Sequence, residues 1–267
     1  MNISIFEQWW QAIEPAVNAN TLNFWQFIYK EIYLNVIKGD RWMQYLKGLG
    51  VTLEVSFYAI LVGLALGTIL AILRLPQMQH MNTRGKGFLP ELGGCIVRLL
   101  SKFAGLYINI MRGTPLLLQV LIINFGIFGS VRIDKVIVGV IACGLNSAAY
   151  VAEIVRGGIM SVDKGQIEAG RSLGFNYVQT MVHFVIPQAF KAILPSLANE
   201  FITLLKESSV AFYIGIADLT QGGLKIRSVT YSNFMPLIAV ALIYLALVMI
   251  LTKLVGILER RLAKSDH

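Results

Sequence analysis

The chain has 267 residues, 56% hydrophobic and 14% charged, with 23 Lys and Arg against 15 Asp and Glu and a net charge of +8. A soluble domain carries about 25% charged residues, and half that supply cannot cover a globular surface. The mean hydropathy of +0.65 excludes an ordinary soluble enzyme, a disulfide-rich secreted scaffold and a disordered chain. The excess of positive charge fits the cytoplasmic loops of a membrane protein better than nucleic-acid binding.

The first 48 residues lack the pattern of a basic start, a long apolar core and a small-residue cleavage site that marks a signal peptide. All four tryptophans, Trp9, Trp10, Trp25 and Trp42, lie here. Residues 22–37 are too short and too charged to cross a bilayer. Their polar positions Asn23, Gln26 and Lys30 give a helix one narrow wet face. It is expected to lie at the outer membrane interface, where indole rings prefer to sit, as part of an amphipathic, interfacial N-terminal segment, 1–48; the alternative for 22–37 is a sixth spanning helix.

Five later stretches have the roughly 20 apolar residues a crossing needs: 51–73, 103–129, 136–155, 186–205 and 234–257. Gly63 and Gly67 in the first form a GxxxG that points to close helix packing. A loop of turn-formers, 76–94, joins the first two. Arg112 in the second is expected to snorkel or to bind a neighbour's carbonyls. With the N-terminus outside, twelve Lys and Arg fall in inner segments and eight in outer ones. The positive-inside rule then places the C-terminal tail, 259–267, in the cytoplasm.

Catalytic and metal signatures are missing. The Gly-Lys pair, Gly85-Lys86, has His80 where a phosphate-binding loop needs Gly and Gly87 where it needs Ser or Thr. His80, His183 and His267 are scattered, and Cys95 and Cys143 form no CxxC. The chain is therefore expected to be non-catalytic, with no metal or cofactor of its own.

The segment between the third and fourth spans is the most informative. Ser161-Val162-Asp163 reads as a helix N-cap. Gln166 to Leu173 follows as a short helix, and Gly174 permits a turn. A second short helix begins at Asn176 and leads to Ile186-Pro187, where proline suits a first helical turn. Ala169 and Gly170, small residues between charges, make a surface suited to docking another protein; the alternative is an ordinary connecting loop on the membrane surface.

Here the sequence resembles a known family. Glu168-Ala169-Gly170, Gly174 and Ile186-Pro187 are similar to the EAA loop of permease subunits of ATP-binding-cassette importers. Tyr150-Val151-Ala152-Glu153, Arg156-Gly157-Gly158-Ile159, Pro187-Gln188-Ala189, Arg112-Gly113-Thr114-Pro115 and Lys206-Glu207-Ser208-Ser209 extend the likeness. Together they resemble the polar amino-acid branch, the glutamine/histidine/arginine-type permeases. Two departures are Gly170, where the family usually has Ala, and Ser208, where Thr is common. Gly170 is expected to loosen the short helix slightly.

The resemblance implies an all-α, polytopic type I importer core of five helices over residues 49–258, in the bacterial inner membrane. It implies a separate ATPase dimer, which binds ATP and Mg, a second permease subunit, identical or related, an extracytoplasmic solute-binding protein and an amino-acid substrate. Gln166, Glu168, Ala169, Gly170, Leu173 and Gly174 would form the ATPase contact.

Polar residues within spans are costly and by default point to function or to a specific partner. Asn146, Tyr150 and Glu153 share one face of the third span, and Glu153 can pair with Arg156 one turn on. Pro195, Asn199, Glu200 and Lys206 mark the fourth span, which is followed by a short apolar segment, 208–216, read as a gate-like helix with Gly215, Gly222 and Gly223 as flexible points, or else as a plain surface loop. Asn146, Tyr150, Glu153, Asn199, Glu200 and Lys206 are the candidates for the substrate path; hydrogen bonding between packed helices is the alternative for this set. For the whole chain, the alternatives are an ion-gradient-driven secondary transporter or channel acting without an ATPase, and a membrane anchor.

Overall fold

Backbone amides in hydrocarbon have no water to bond, so a chain this apolar is driven into helices that satisfy their own N–H and C=O groups. The structure, a computed structural model, describes residues 3–19, 21–75 and 88–263, and contains no strand among them. The helices are α1 (Ile3–Asn18), α2 (Phe24–Ile32), α3 (Arg41–Leu73), α4 (Phe88–Gly113), α5 (Leu116–Leu121), α6 (Lys135–Met160), α7 (Lys164–Ser172), α8 (Tyr177–Thr180), α9 (Ile186–Glu207), α10 (Leu219–Thr230) and α11 (Met235–Ala263). Single π-helical turns extend α2, α5 and lead into α9 (Tyr33–Ile37, Ile122–Ile127 and Met181–Val185). Five segments are long and apolar enough to cross a membrane: Phe24–Leu73, Gly93–Gly113, Lys135–Met160, Tyr177–Ile214 and Met235–Leu262.

The second span differs from the one expected at 103–129. Pro115 has no N–H and holds extended backbone (φ −64°, ψ 135°), so the helix stops at Gly113 and restarts as α5. The expected linker 76–94 is helical from Phe88 onward; residues 76–87 lie outside the described residues. The expected helix at 208–216 is a 3-10 segment, Ser208–Ile214, ended by Gly215 at φ +91°.

The chain divides into two units, Met1–Glu54 with Ala211–Val248, and Val55–Val210 with Met249–His267. In the second, α6 is lined with small buried residues, among them Gly139, Ala142, Gly144, Ser147, Ala148 and Ala152. A Cβ on Gly67 of α3 would fall 2.7 Å from the Ala148 carbonyl oxygen, and one on Gly63 would fall 3.0 Å from Ser147 Oγ. The GxxxG is thus a packing face, as its spacing predicts, and it brings the two backbones together as small residues allow.

In the first unit, Tyr45, Leu219, Ile226 and Val240 form a buried core. Gly222 and Gly223 are buried inside α10, not the flexible points expected of them. A Cβ on Gly223 would meet Val240 Cγ2 at 2.4 Å, and one on Gly222 would meet the Gln44 carbonyl oxygen at 3.1 Å. Their missing side chains are a packing requirement. Asp218 caps α10 by accepting from the Gln221 N–H (2.8 Å), and the Leu219 N–H donates to Thr52 Oγ1 (3.1 Å).

Asp218 is 2% exposed, and its Oδ2 has no partner among the described residues. Burial pushes its carboxyl up to about 6, against the lowering effect of the Gln221 N–H. A pKa raised on folding means the ionised form opposes folding, so this contribution is most unfavourable above pH 6 and disappears as pH falls below the unfolded value near 4. Asp218→Asn keeps the cap oxygen and removes the buried charge. It should raise the thermal midpoint at pH 7.5, by at most roughly 3 kcal/mol of stability, and leave the midpoint unaltered near pH 4. Thermal unfolding of the purified chain between pH 4 and 7.5 checks both.

Candidate functional site

The functional candidates fall on two parts of the larger unit, the loop between α6 and α9 and the polar positions around α6. The loop is built by local capping. Asp163 Oδ1 accepts from the Gly165 N–H (2.6 Å) and starts α7. At the other end Gly174 takes φ +87°. The Gly174 N–H reaches the Arg171 carbonyl (3.0 Å) and the Phe175 N–H reaches the Gly170 carbonyl (3.2 Å), the two bonds of a Schellman close. Asn176 and Gln179 then cap α8 reciprocally, at 2.9 Å each way. Phe175 packs edge-on against Phe184, with ring centroids 5.3 Å apart.

This capping fixes which side chains α7 displays. Gln166, Glu168, Ala169 and Leu173 are exposed, Leu173 at 72%; Gln166 Oε1 accepts from Gln188 Nε2 (3.2 Å). Gly170 is buried. A Cβ there would lie 2.7 Å from Thr180 Cγ2 and 3.0 Å from Thr180 Oγ1, and Thr180 is itself fully buried. Propensity alone predicts that Gly170 loosens the helix. Its actual place shows that it lets α7 lie directly on α8, and the sequence gives no warning of this because Thr180 is ten residues away.

Around α6 the candidates separate into two groups. Asn146, Tyr150 and Glu153 do share a face. Asn146 is buried, and its Nδ2 donates to Gln119 Oε1 (2.9 Å) and to the Met111 carbonyl (3.3 Å). Gln119 Nε2 donates to the Met111 carbonyl (2.8 Å) and to Thr114 Oγ1 (2.8 Å). These two amides satisfy the Met111 and Thr114 carbonyls at the point where Pro115 breaks the second span, which is the need a broken helix creates in a membrane. Gln119 escaped the sequence reading; its signal is a lone amide in an apolar run just after a Thr-Pro pair.

At the end of the same face, Glu153 is held from two sides. Oε1 accepts from Arg74 Nη1 of the turn after α3 (2.8 Å), and Oε2 from Arg156 Nη2 (2.7 Å). The Arg156 pair is the one expected from spacing; the Arg74 pair, 79 residues distant, is not readable from it. Arg112 Cζ lies 5.4 Å from the centre of the Tyr150 ring, a cation–π contact. Three guanidinium groups and one carboxylate leave this region net positive.

The second group lies on another side of α6. Glu200 of α9 is half-buried and accepts from Ser147 Oγ (2.9 Å). Ser147 is six residues from Glu153, about 9 Å along the axis. Asn199 and Lys206 are exposed. Ser208 is buried, with Oγ donating to the Leu205 carbonyl (2.9 Å) and lying 3.2 Å from Ser56 Oγ. Among the described residues no group of three or more His, Cys, Asp or Glu could hold a metal ion.

Residues 95–264 match the family described as binding-protein-dependent transport system inner membrane component. The chain belongs to this family. The permease is 38% identical over 223 residues to the arginine transport system permease protein ArtQ of Bacillus subtilis, covering 83% of this chain and 93% of that one. It is 36% identical over 219 residues to a putative glutamine transport system permease protein GlnP of Rickettsia typhi, covering 81% and 92%. Among solved structures, an amino acid ABC transporter matches with TM-score 0.70 and 41% identity over 82% of this chain and 94% of that one. The MetNI methionine ABC transporter matches with TM-score 0.67 at 19% identity over 85% and 99%, a likeness of fold alone. The all-α importer-permease fold and the place among amino-acid permeases implied by the EAA-type motifs are thereby shown, as is a multi-pass membrane protein.

The Gly170 contact makes a signed prediction. Helix propensity favours Ala over Gly by about 1 kcal/mol, whereas overpacking against a stiff β-branched side chain costs about 1–3 kcal/mol. Gly170→Ala should therefore lower the thermal midpoint of the permease. In a Thr180→Ala background the same change should be neutral or stabilising, and the four-variant cycle measured by thermal unfolding reads the coupling.

Proposed function

We propose that this permease is the membrane subunit of an ATP-driven amino-acid importer. It forms a translocation path with a second permease subunit, identical or related, and receives its solute from an extracytoplasmic binding protein. ATP and Mg are bound and hydrolysed on a separate ATPase dimer, which docks on α7; the permease itself is non-catalytic. In this reading the N-terminus is outside and the C-terminus cytoplasmic, the orientation favoured by the distribution of Lys and Arg.

The observation that carries the proposal is the form of α7. A nine-residue helix, capped at both ends, shows Glu168, Ala169 and Leu173 to solvent in a chain whose relatives are permease proteins of amino-acid transport. Gln166 sits at its flank, Gly170 seats it on α8, and Gly174 closes it. Closure of the ATPase dimer would displace this short rigid element as a lever, and the spanning helices would follow.

Tyr150, Glu153, Asn199, Glu200 and Lys206 are proposed as the polar residues of the path, with Asn146 holding the broken second span beside it. The net positive region at Glu153 suits a substrate carboxylate, and the Glu200 carboxylate suits an ammonium or guanidinium group. Both features fit a polar amino acid.

Glu168→Lys should reduce uptake by the reconstituted importer to near background and uncouple it from ATP hydrolysis, with membrane insertion unchanged. Uptake at the native rate would remove α7 from the ATPase contact. Glu153→Gln and Glu200→Gln should change the rate or selectivity of uptake while the ATPase still copurifies. Two variants with native transport would return both carboxylates to a packing role.

A further inference from the structure

The N-terminal hairpin of α1 and α2 carries more apolar surface than its own packing uses. In α1, Ile5, Phe6, Trp9, Ala12, Ile13, Ala16 and Val17 occupy one arc, and Glu7, Gln8, Gln11, Glu14 and Asn18 the other. Half of the apolar arc is covered. Ile13 is buried, Trp10 stacks on Tyr33 with centroids 4.8 Å apart, and Tyr29 Oη donates to the Phe6 carbonyl (2.9 Å). The other half is bare, with Ile5 51% and Trp9 61% exposed. On α2, Phe24 and Trp25 are 68% and 77% exposed.

Between the two helices lies a groove of about 360 Å³, lined by Trp9, Ile13, Trp25, Ile28 and Ile32 and bordered by polar residues of the α2 start. Among the described residues, no lining side chain is charged. The polar groups that reach it are largely engaged: Asn23 and Gln26 cap α2 reciprocally, and the Tyr29 hydroxyl is bonded to α1. What remains is an apolar trough with two exposed indoles at its edge. That chemistry suits a ligand with a hydrocarbon body and a polar end.

The chain continues from α2 through two short turns into α3, the first spanning helix, whose opening residues Trp42, Met43 and Leu46 are also exposed. The bare face of the hairpin thus leads in sequence to an exposed apolar surface at the start of the first spanning helix. We propose that the α1–α2 hairpin is a lipid-binding element, seated in the interfacial zone of the bilayer with a phospholipid acyl chain in its groove. The polar arc of α1 then faces water, and Trp9 and Trp25 sit at headgroup level.

The four tryptophans lie at 9, 10, 25 and 42, so tryptophan fluorescence, excited selectively over tyrosine, reports this region alone. The full chain is reconstituted in phosphatidylcholine vesicles whose acyl chains are brominated either near the headgroup or near the methyl end. Shallow bromines should quench the emission at least about twofold more than deep ones, as interfacial indoles require. Trp9→Phe with Trp25→Phe should remove most of that quenching, with helix content unchanged by circular dichroism.

Three results overturn the proposal. Emission indifferent to bromine but quenched by aqueous iodide places the hairpin in water. Shallow quenching that persists undiminished in the double variant comes from Trp10 and Trp42 and not from the groove. Shielding from iodide that appears only when a solute-binding protein is added assigns the face to a protein partner.

Discussion

A membrane-spanning helix that breaks, bends or carries a polar side chain exposes groups that hydrocarbon cannot solvate, and in this permease α6 meets much of that demand. Asn146 bonds the Met111 carbonyl freed at Pro115 and the amide of Gln119, which bonds the same carbonyl and that of Thr114. Tyr107 of α4 donates to the Leu145 carbonyl at 2.6 Å, Glu200 of α9 finds Ser147, and Arg74 finds Glu153. A single helix can serve so many neighbours because its other positions are small. Glycine, alanine and serine along α6 let α3 approach to backbone contact distance, which brings side chains from several directions within hydrogen-bond reach. Packing and polar satisfaction are here one constraint.

That arrangement bears on mechanism through stiffness. A helix pair in close contact through small residues has few rotamers to absorb a push, so displacement at one end is carried along it. The loop after α6 is of the same kind. α7 is closed by Asp163 at one end and by the Schellman bonds at the other, and it rests on Thr180 through a glycine. A short helix unsupported in water would fray. This one is held by its caps and by α8, as the proposed ATPase contact requires, since a lever that bends transmits nothing.

Glycine changes meaning with surroundings. Gly174 is needed for its backbone, since φ +87° strains any residue with a Cβ. Gly67, Gly170 and Gly223 have ordinary helical backbones and are needed for the absence of a side chain. Sequence reading assigns Gly67 to packing and Gly174 to a turn, but predicts flexibility at Gly222 and Gly223 and slackness at Gly170; the contacts make these three positions tight.

The sequence by itself determined what depends on near neighbours. Hydropathy set five crossings, because the cost of hydrocarbon burial is summed along the chain. Asp163, Gly174 and Asn176 set the ends of α7 and the start of α8, because caps act within a few residues. The motif from Tyr150 to Pro187 marked the family. Only the tertiary structure decided the partners of the buried polar groups: Arg74 for Glu153, Ser147 for Glu200, Gln119 for Asn146, Thr180 for Gly170. These pairs join residues from ten to 79 positions apart. Their choice depends on how closely helices approach and how they are turned about their axes, and no local pattern of residues encodes that.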